Sequence, residues 1–179
     1  MKQENIVAQA VIETPRMLLR PLRASDAGLM SYYASDRRVA EMTTSIPHPL
    51  PPGVTDSYVA RAMKPERTEF AWAMDASDMG GSELLGVITL EQMDRDQSEI
   101  GYWVAPVMWN TGFASEAVTA LVQANPLENH TIFASVFQDN PRSARVLTNA
   151  GFDYLGDAEA FSVSRKAMVA IWTYLKRLT

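Results

Sequence analysis

Strand-like and helix-like stretches follow one another in an order that suggests an architecture. "RMLLRPL" (Arg16 to Leu22) has strand character up to Pro21. "SDAGLMSYYASDRRVAEM" then places apolar residues at helical spacing behind Ser25, an N-cap candidate, which predicts one or two short helices. "SIPHPLPPG" (Ser45 to Gly53) holds four prolines in nine residues, so it is a stiff loop within the domain, and "VTDSYVARAM" returns to helical spacing.

Three strand-type stretches come next: "TEFAWAMD" with Phe70, Trp72 and Met74 alternating, "ELLGVITLEQ", and "SEIGYWVA" with Ile100, Tyr102 and Val104 alternating. Turn-rich separators make an antiparallel meander the simplest reading. "GFASEAVTALVQA" is a helix by propensity and "TIFASVF" a strand. "NPRSARVLTNAG" carries its own boundaries: Asn140 as N-cap, Pro141 at the first helical position and Gly151 at the left-handed C-terminal position. Two strands with a turn near Ser164 to Lys166 end the chain. The order predicts an α+β domain with one helix crossing over after the meander.

Composition narrows the function. With 179 residues, 47% of them hydrophobic, the chain supports a core of its own, and one domain over 1–179 is expected, with 1–13 as a flexible or peripheral segment. A net charge of -5 argues against nucleic acid and anionic membrane surfaces as partners, since both need a clustered basic face. The absence of cysteine removes disulfides, a thiolate nucleophile and Cys-based metal sites. His48 and His130 stand alone, without ligand partners at metal spacing, so no metal is expected. No secretory pattern or membrane-length apolar run is present, and the chain reads as cytoplasmic.

The most informative stretch is "YWVAPVMWNTGFASEAV", where a strand breaks at Pro106 and a helix starts around the lone Gly112. A helix N-terminus presents unpaired amides and about half a positive charge, which suits phosphate, and Gly112 and Ala114 keep the approach clear. Neither the P-loop nor the dinucleotide glycine pattern is present. Asn110 is a residue that tolerates positive φ, as a tight turn before a helix demands. Read alone, Asn110-Thr111-Gly112 is equally an ordinary helix-entry loop.

Together, "ETPRMLLRPL", "DAGLMSYYASDRRVAEM", "ELLGVITL", "SEIGYWVAPVMWNTGFASEA" and "QDNPRSARVLTNAGF" resemble the GNAT (GCN-related) N-acetyltransferases. More narrowly, the chain is similar to the branch of ribosomal-protein N-terminal acetyltransferases of the RimJ and RimL type. The resemblance covers nearly the whole chain. It implies a mixed, mostly antiparallel sheet of about six to seven strands flanked by helices, with a splayed strand pair that binds acetyl-CoA. Trp103 and Val104 would line the pantetheine arm, and the amides of Asn110, Thr111, Gly112, Phe113, Ala114 and Ser115 would hold the pyrophosphate. Trp109 stands where the wider family has Gln or Arg, and Asn110 where the branch usually has Gly.

The implied chemistry is direct transfer of acetyl to a primary amine in a ternary complex. A base or water relay must take a proton from the amine, and a donor must stabilise the departing thiolate. Glu99, on one strand face with Gly101 and Trp103, is the candidate base, with Glu91 as runner-up; either could be an ordinary solvated carboxylate. The tyrosine acid found in many relatives is absent, its position being taken by Leu147. Instead Asn140 and Ser143 match the branch's Asn-x-x-Ser: the Ser143 hydroxyl would meet the sulfur and Asn140 a pantetheine amide, although Asn140 is also simply a good N-cap. Arg142 and Arg145 read as a solvated helix face or as partners of the nucleotide's 3′-phosphate. Trp72, Met74 and Tyr102 read as core or acceptor-cleft lining, and the loop from Ser45 to Gly53 as a wall of the acceptor side. The acceptor is a protein N-terminus or a small-molecule amine, and the protein is expected to be a monomer or homodimer. A non-catalytic acyl-CoA-binding or sensor domain is the alternative.

Overall fold

The computed structural model describes residues 9–178. Its strands are β1 (Ile12–Glu13), β2 (Leu18–Pro21), β3 (Glu69–Asp75), β4 (Gly86–Met93), β5 (Gln97–Val104), β6 (Thr131–Phe137), β7 (Asp153–Ser162) and β8 (Ala167–Arg177). Its helices are α1 (Ala27–Ala34), α2 (Arg37–Ala40), α3 (Val54–Ala62), α4 (Phe113–Ala124) and α5 (Pro141–Asn149). All eight strands form one sheet in the order β1-β2-β3-β4-β5-β6-β8-β7. The pairing is antiparallel except between β5 and β6, which α4 joins as a crossover. The strand beyond the expected six to seven is β1, two residues too short to show as a pattern.

Residues 1–8, most of the segment expected to be flexible or peripheral, lie outside the described residues. The rest of that segment is tied to the sheet: Gln9 Nε2 donates to the Ala71 carbonyl at 2.7 Å and Trp72 Nε1 to that of Ala10 at 2.8 Å.

Helices cover both faces of the central strands. Trp72, Ile88, Ile100 and Ile132 pack with Val118 and Leu121 of α4 and Leu147 of α5. Ala71, Ala73 and Val87 face the other way, toward Met30 of α1 and Val59 of α3. Both faces of β3 are therefore buried, and its alternation is one of size: large side chains fill the α4/α5 layer, while alanines let α1 and α3 come close. Ser25 does not cap the first helix. It lies in a 3₁₀ turn, and the N-cap position falls to Asp26, whose side chain makes no capping bond to α1: its carboxylate accepts from the Arg23 amide at 2.9 Å and binds buried Arg20 at 2.8 Å. Asp75 holds Arg20 from the other side, also at 2.8 Å, so one guanidinium locks β2, β3 and the entry to α1.

The feature that shapes the site lies at the middle of the sheet. β5 and β6 pair only over Gln97–Ile100 and Thr131–Ala134. Past that point Gly101 to Val104 stay with β4, Ser135 to Phe137 stay with β8, and the two strands part. β5 ends before Pro106, which opens a 3₁₀ turn. Among the described residues, no helix is long and apolar enough to cross a membrane.

Candidate functional site

Local backbone conformation builds the loop after the splay. Asn110 takes φ 63° and Gly112 φ 84°, and Gly112 caps α4. Asn110 thus adopts the left-handed conformation that a glycine would. None of the amides from Asn110 to Ser115 donates to a backbone acceptor among the described residues, and no side chain caps the helix. Consecutive unpaired amides beside a helix N-terminus form an anion-binding concavity.

A clip between distant segments holds this loop. Arg16 Nε donates to Glu116 Oε1 at 2.8 Å and its Nη1 to the Thr111 carbonyl at 2.9 Å, while the guanidinium lies 4.0 Å from the centre of the Phe113 ring. Burial alone would raise the Glu116 pKa, but hydrogen bonds from Thr14 and Arg16 outweigh it and hold the carboxyl below its ordinary value. No local pattern in the sequence signals this clip, because its partners lie 100 positions apart.

The splay opens into a cavity of about 690 Å³, whose lining includes Trp103, Val104, Gly112, Ala114, Asn140 and Ser143. Asn110, Phe113 and Ser115 also line it. Thr111 does not: its hydroxyl turns back to the Met108 carbonyl and its own carbonyl to Arg16. Trp109 Nε1 donates to the Val104 carbonyl at 2.8 Å, which pins the end of β5 to the loop. Arg142 and Arg145 are exposed at the rim.

A second cavity, of about 500 Å³, is walled by Ile46, Pro47 and Leu50 of the proline-rich loop and by Tyr58 of α3. Glu99, Gly101 and Trp103 line it together, and so do Glu91 and Glu69. Register explains the grouping: Glu69 lies opposite Glu91, and Glu91 opposite Glu99, so three strands carry one row of carboxylates. Burial in the cleft, then the charge of Glu91, raises the Glu99 pKa. Burial also raises that of Glu69, against a hydrogen bond donated by the Tyr58 hydroxyl. Glu99 and Glu91 are expected near the site from the sequence but Glu69 is not, since cross-strand register has no local signal. Met42, Tyr102 and Trp103 line both cavities and mark where these meet.

On α5, Asn140 Oδ1 accepts from the Ser143 amide at 3.4 Å, with Pro141 at the first helical position. The Ser143 hydroxyl lies 2.7 Å from the Tyr102 hydroxyl, which also reaches the Ser143 carbonyl at 3.1 Å. Burial pushes the Tyr102 phenol up to about 12, against the hydrogen bond with Ser143. Tyr102, expected only as core or lining, thus touches a candidate site residue. Leu147 is fully buried in the core. His130 is exposed, its Nε2 3.8 Å from Asp96, and His48 keeps its Nδ1 buried in the proline-rich loop; neither lines the two cavities.

Known proteins share this fold. The sequence model of the Acetyltransferase (GNAT) domain matches residues 16–153. An uncharacterized N-acetyltransferase, YoaA of Bacillus subtilis (strain 168), is 29% identical over 152 residues, which are 82% of this chain and 84% of that protein. In structure, the RimL ribosomal L7/L12 α-N-protein acetyltransferase bound to coenzyme A aligns with a TM-score of 0.79 at 15% identity, over 94% of this chain and 98% of that one. RimJ of Mycobacterium smegmatis in complex with CoA-disulfide aligns with a TM-score of 0.76 at 22% identity, over 94% of this chain and 86% of that one. The family model spans the splayed strands, the loop at Gly112 and all of α5, and the chain belongs to the GNAT acetyltransferases, enzymes that take their acyl group from acetyl-CoA.

Proposed function

We propose that this enzyme acetylates a primary amine of a protein N-terminus or a small molecule, through a ternary complex with acetyl-CoA, and that it stands with the RimJ and RimL type. The observation that carries the reading is the run of unpaired amides from Asn110 to Ser115 at one end of a cavity that opens between parted strands. The pyrophosphate lies on the amides of Asn110 and of Gly112 to Ser115, Thr111 facing away from the cavity, and the pantetheine follows β5 past Val104 and Trp103 beside Asn140. The thioester then lies where the two cavities meet, near Tyr102 and Trp103.

The amine enters from the second cavity, and the row of Glu69, Glu91 and Glu99 favours a cationic acceptor. Glu99, its pKa raised by burial and then by the charge of Glu91, takes a proton from the attacking amine directly or through water. As the C–S bond breaks, the Ser143 hydroxyl donates a hydrogen bond to the sulfur. The similarity to RimL and RimJ supports this reading at the level of the fold.

Thermal unfolding with and without acetyl-CoA tests the first half, and CoA release across a panel of N-terminal peptides, polyamines and amino acids the second. Stabilisation by about 3 kcal/mol at a hundredfold excess over Kd is expected, with CoA released in the presence of at least one amine. Absence of any shift at millimolar acetyl-CoA would refute the reading, and a shift without transfer to any amine would reduce it to acyl-CoA binding.

A further inference from the structure

Ser143 does not stand alone in the cavity. Tyr102 reaches it from β5, across the sheet-to-helix gap, and makes two alternative contacts: 3.1 Å to the Ser143 carbonyl and 2.7 Å to its hydroxyl. One phenolic proton cannot serve both. When it goes to the carbonyl, the serine proton is drawn to the phenolic oxygen. When it goes to the serine oxygen, the serine proton is free to point into the cavity.

We infer that Tyr102 is a positioning residue: it switches its proton from the Ser143 carbonyl to the Ser143 hydroxyl as charge forms on the coenzyme A sulfur, and so aims and strengthens the serine's hydrogen bond to that sulfur. The inference rests on the proposed role of Ser143. It explains how a thiolate is stabilised in a chain where Leu147 is fully buried and carries no hydroxyl. Tyr102 is suited to this by its place, because it borders both cavities where they meet.

The electron balance is simple. The amine nitrogen bonds to the acyl carbon and gives its proton to Glu99, directly or through water; the C–S bond breaks, and its electron pair stays on sulfur. Neither hydroxyl loses its proton. With its phenol pushed up to about 12, well above an ordinary thiol at about 8.5, Tyr102 remains a donor while the thiolate forms, and the sulfur takes its proton from water as coenzyme A leaves. Two hydroxyls in series polarise one another, so the second adds to the donor strength of the first.

The test needs no acceptor amine. Coenzyme A is bound to the wild type and to Y102F, S143A and the double variant. The ultraviolet absorbance of its thiolate is followed against pH, with desulfo-coenzyme A on the same protein as the blank. In the wild type the bound thiol should ionise about tenfold more readily than free coenzyme A, because hydrogen bonds to the charged form favour it. S143A should lose that gain, Y102F at least threefold of it, and the double variant should match S143A. If Y102F ionises as the wild type does while S143A loses the gain, the inference falls and the Ser143 reading stands. If S143A behaves as the wild type, the Ser143 reading fails and takes the inference with it. A double variant clearly worse than S143A would mean that Tyr102 acts on the sulfur independently, which also overturns the relay. Should Y102F not fold, Tyr102→3-fluorotyrosine gives the opposite sign: a more acidic phenol should ease ionisation about twofold, and no change would refute the relay.

Discussion

Gly86 sits where β4 presses against the end of β5, and its replacement by alanine should disable the cofactor strand. A Cβ built there would stand 2.3 Å from the Trp103 carbonyl oxygen, 3.0 Å from Val104 Cα and 3.2 Å from Met74 Sδ. Ordinary contact begins near 3.4 Å, so the backbone of β5 must retreat by about 1 Å. The obstacle is backbone rather than a flexible side-chain tip, which puts the cost near the top of the overpacking range, about 3 kcal/mol. For a domain of this size that lowers Tm by about 6–12 °C. The same retreat moves Trp103 and Val104, the residues proposed to line the pantetheine, so acetyl-CoA affinity should fall by about tenfold or more. The control is G28A, at a helical glycine with no atom within 4 Å, which should be neutral or stabilising by up to about 1 kcal/mol. Differential scanning fluorimetry with and without acetyl-CoA reads both effects. A G86A protein that melts within about 2 °C of the wild type and keeps its full acetyl-CoA shift would refute the argument.

E99Q should lower kcat by about a hundredfold or more while leaving the acetyl-CoA-induced shift in Tm intact, as read by CoA release and thermal melts. Because burial first and Glu91 second raise the Glu99 pKa, E91Q should move the acidic limb of the pH–rate profile to lower pH without bringing it to the ordinary carboxylate value. A carboxyl whose folded pKa is raised opposes folding once ionised, so E99Q should melt higher than the wild type at pH 7, with the difference vanishing below the ordinary carboxylate range. R20A leaves Asp26 and Asp75 buried without their cation and should cost about 3–5 kcal/mol in chemical denaturation. For Asp75, burial is outweighed by hydrogen bonds from Ser77 and Arg20, so its folded pKa lies below the ordinary value. The stability it contributes is complete above that ordinary value and is lost as the pH falls, so D75N should show a shallower acid melting profile than the wild type. R16A uncovers the Glu116 carboxylate beside the unpaired amides and should raise the Kd for acetyl-CoA several-fold by calorimetry, through like-charge repulsion.

Local chemistry was legible where one residue's backbone preference settles the matter. Pro106 ends a strand, Asn110 and Gly112 take positive φ, and Asn140, Pro141 and Gly151 bound α5, all as the residue types require. Ser25 misled because the chain enters α1 through a 3₁₀ turn, which moves the N-cap position on to Asp26, a residue whose carboxylate is taken up by the Arg23 amide and Arg20. The alternation of Phe70, Trp72 and Met74 correctly signalled a strand, yet it could not show that the intervening alanines are buried under a second helix layer.

By itself the sequence determined the order of elements apart from the two-residue β1, the helix N-terminus at Gly112 and the family to which the chain belongs, because these follow from short-range backbone preferences and from motifs in a set order. Only the tertiary structure decided which distant groups meet: Arg16 with Glu116, Gly86 with the backbone at Trp103, Tyr102 with Ser143, and three carboxylates in one row. Each of these depends on strand register or on how a helix seats against the sheet, and those are set by the packing of the whole core rather than by any local stretch of chain.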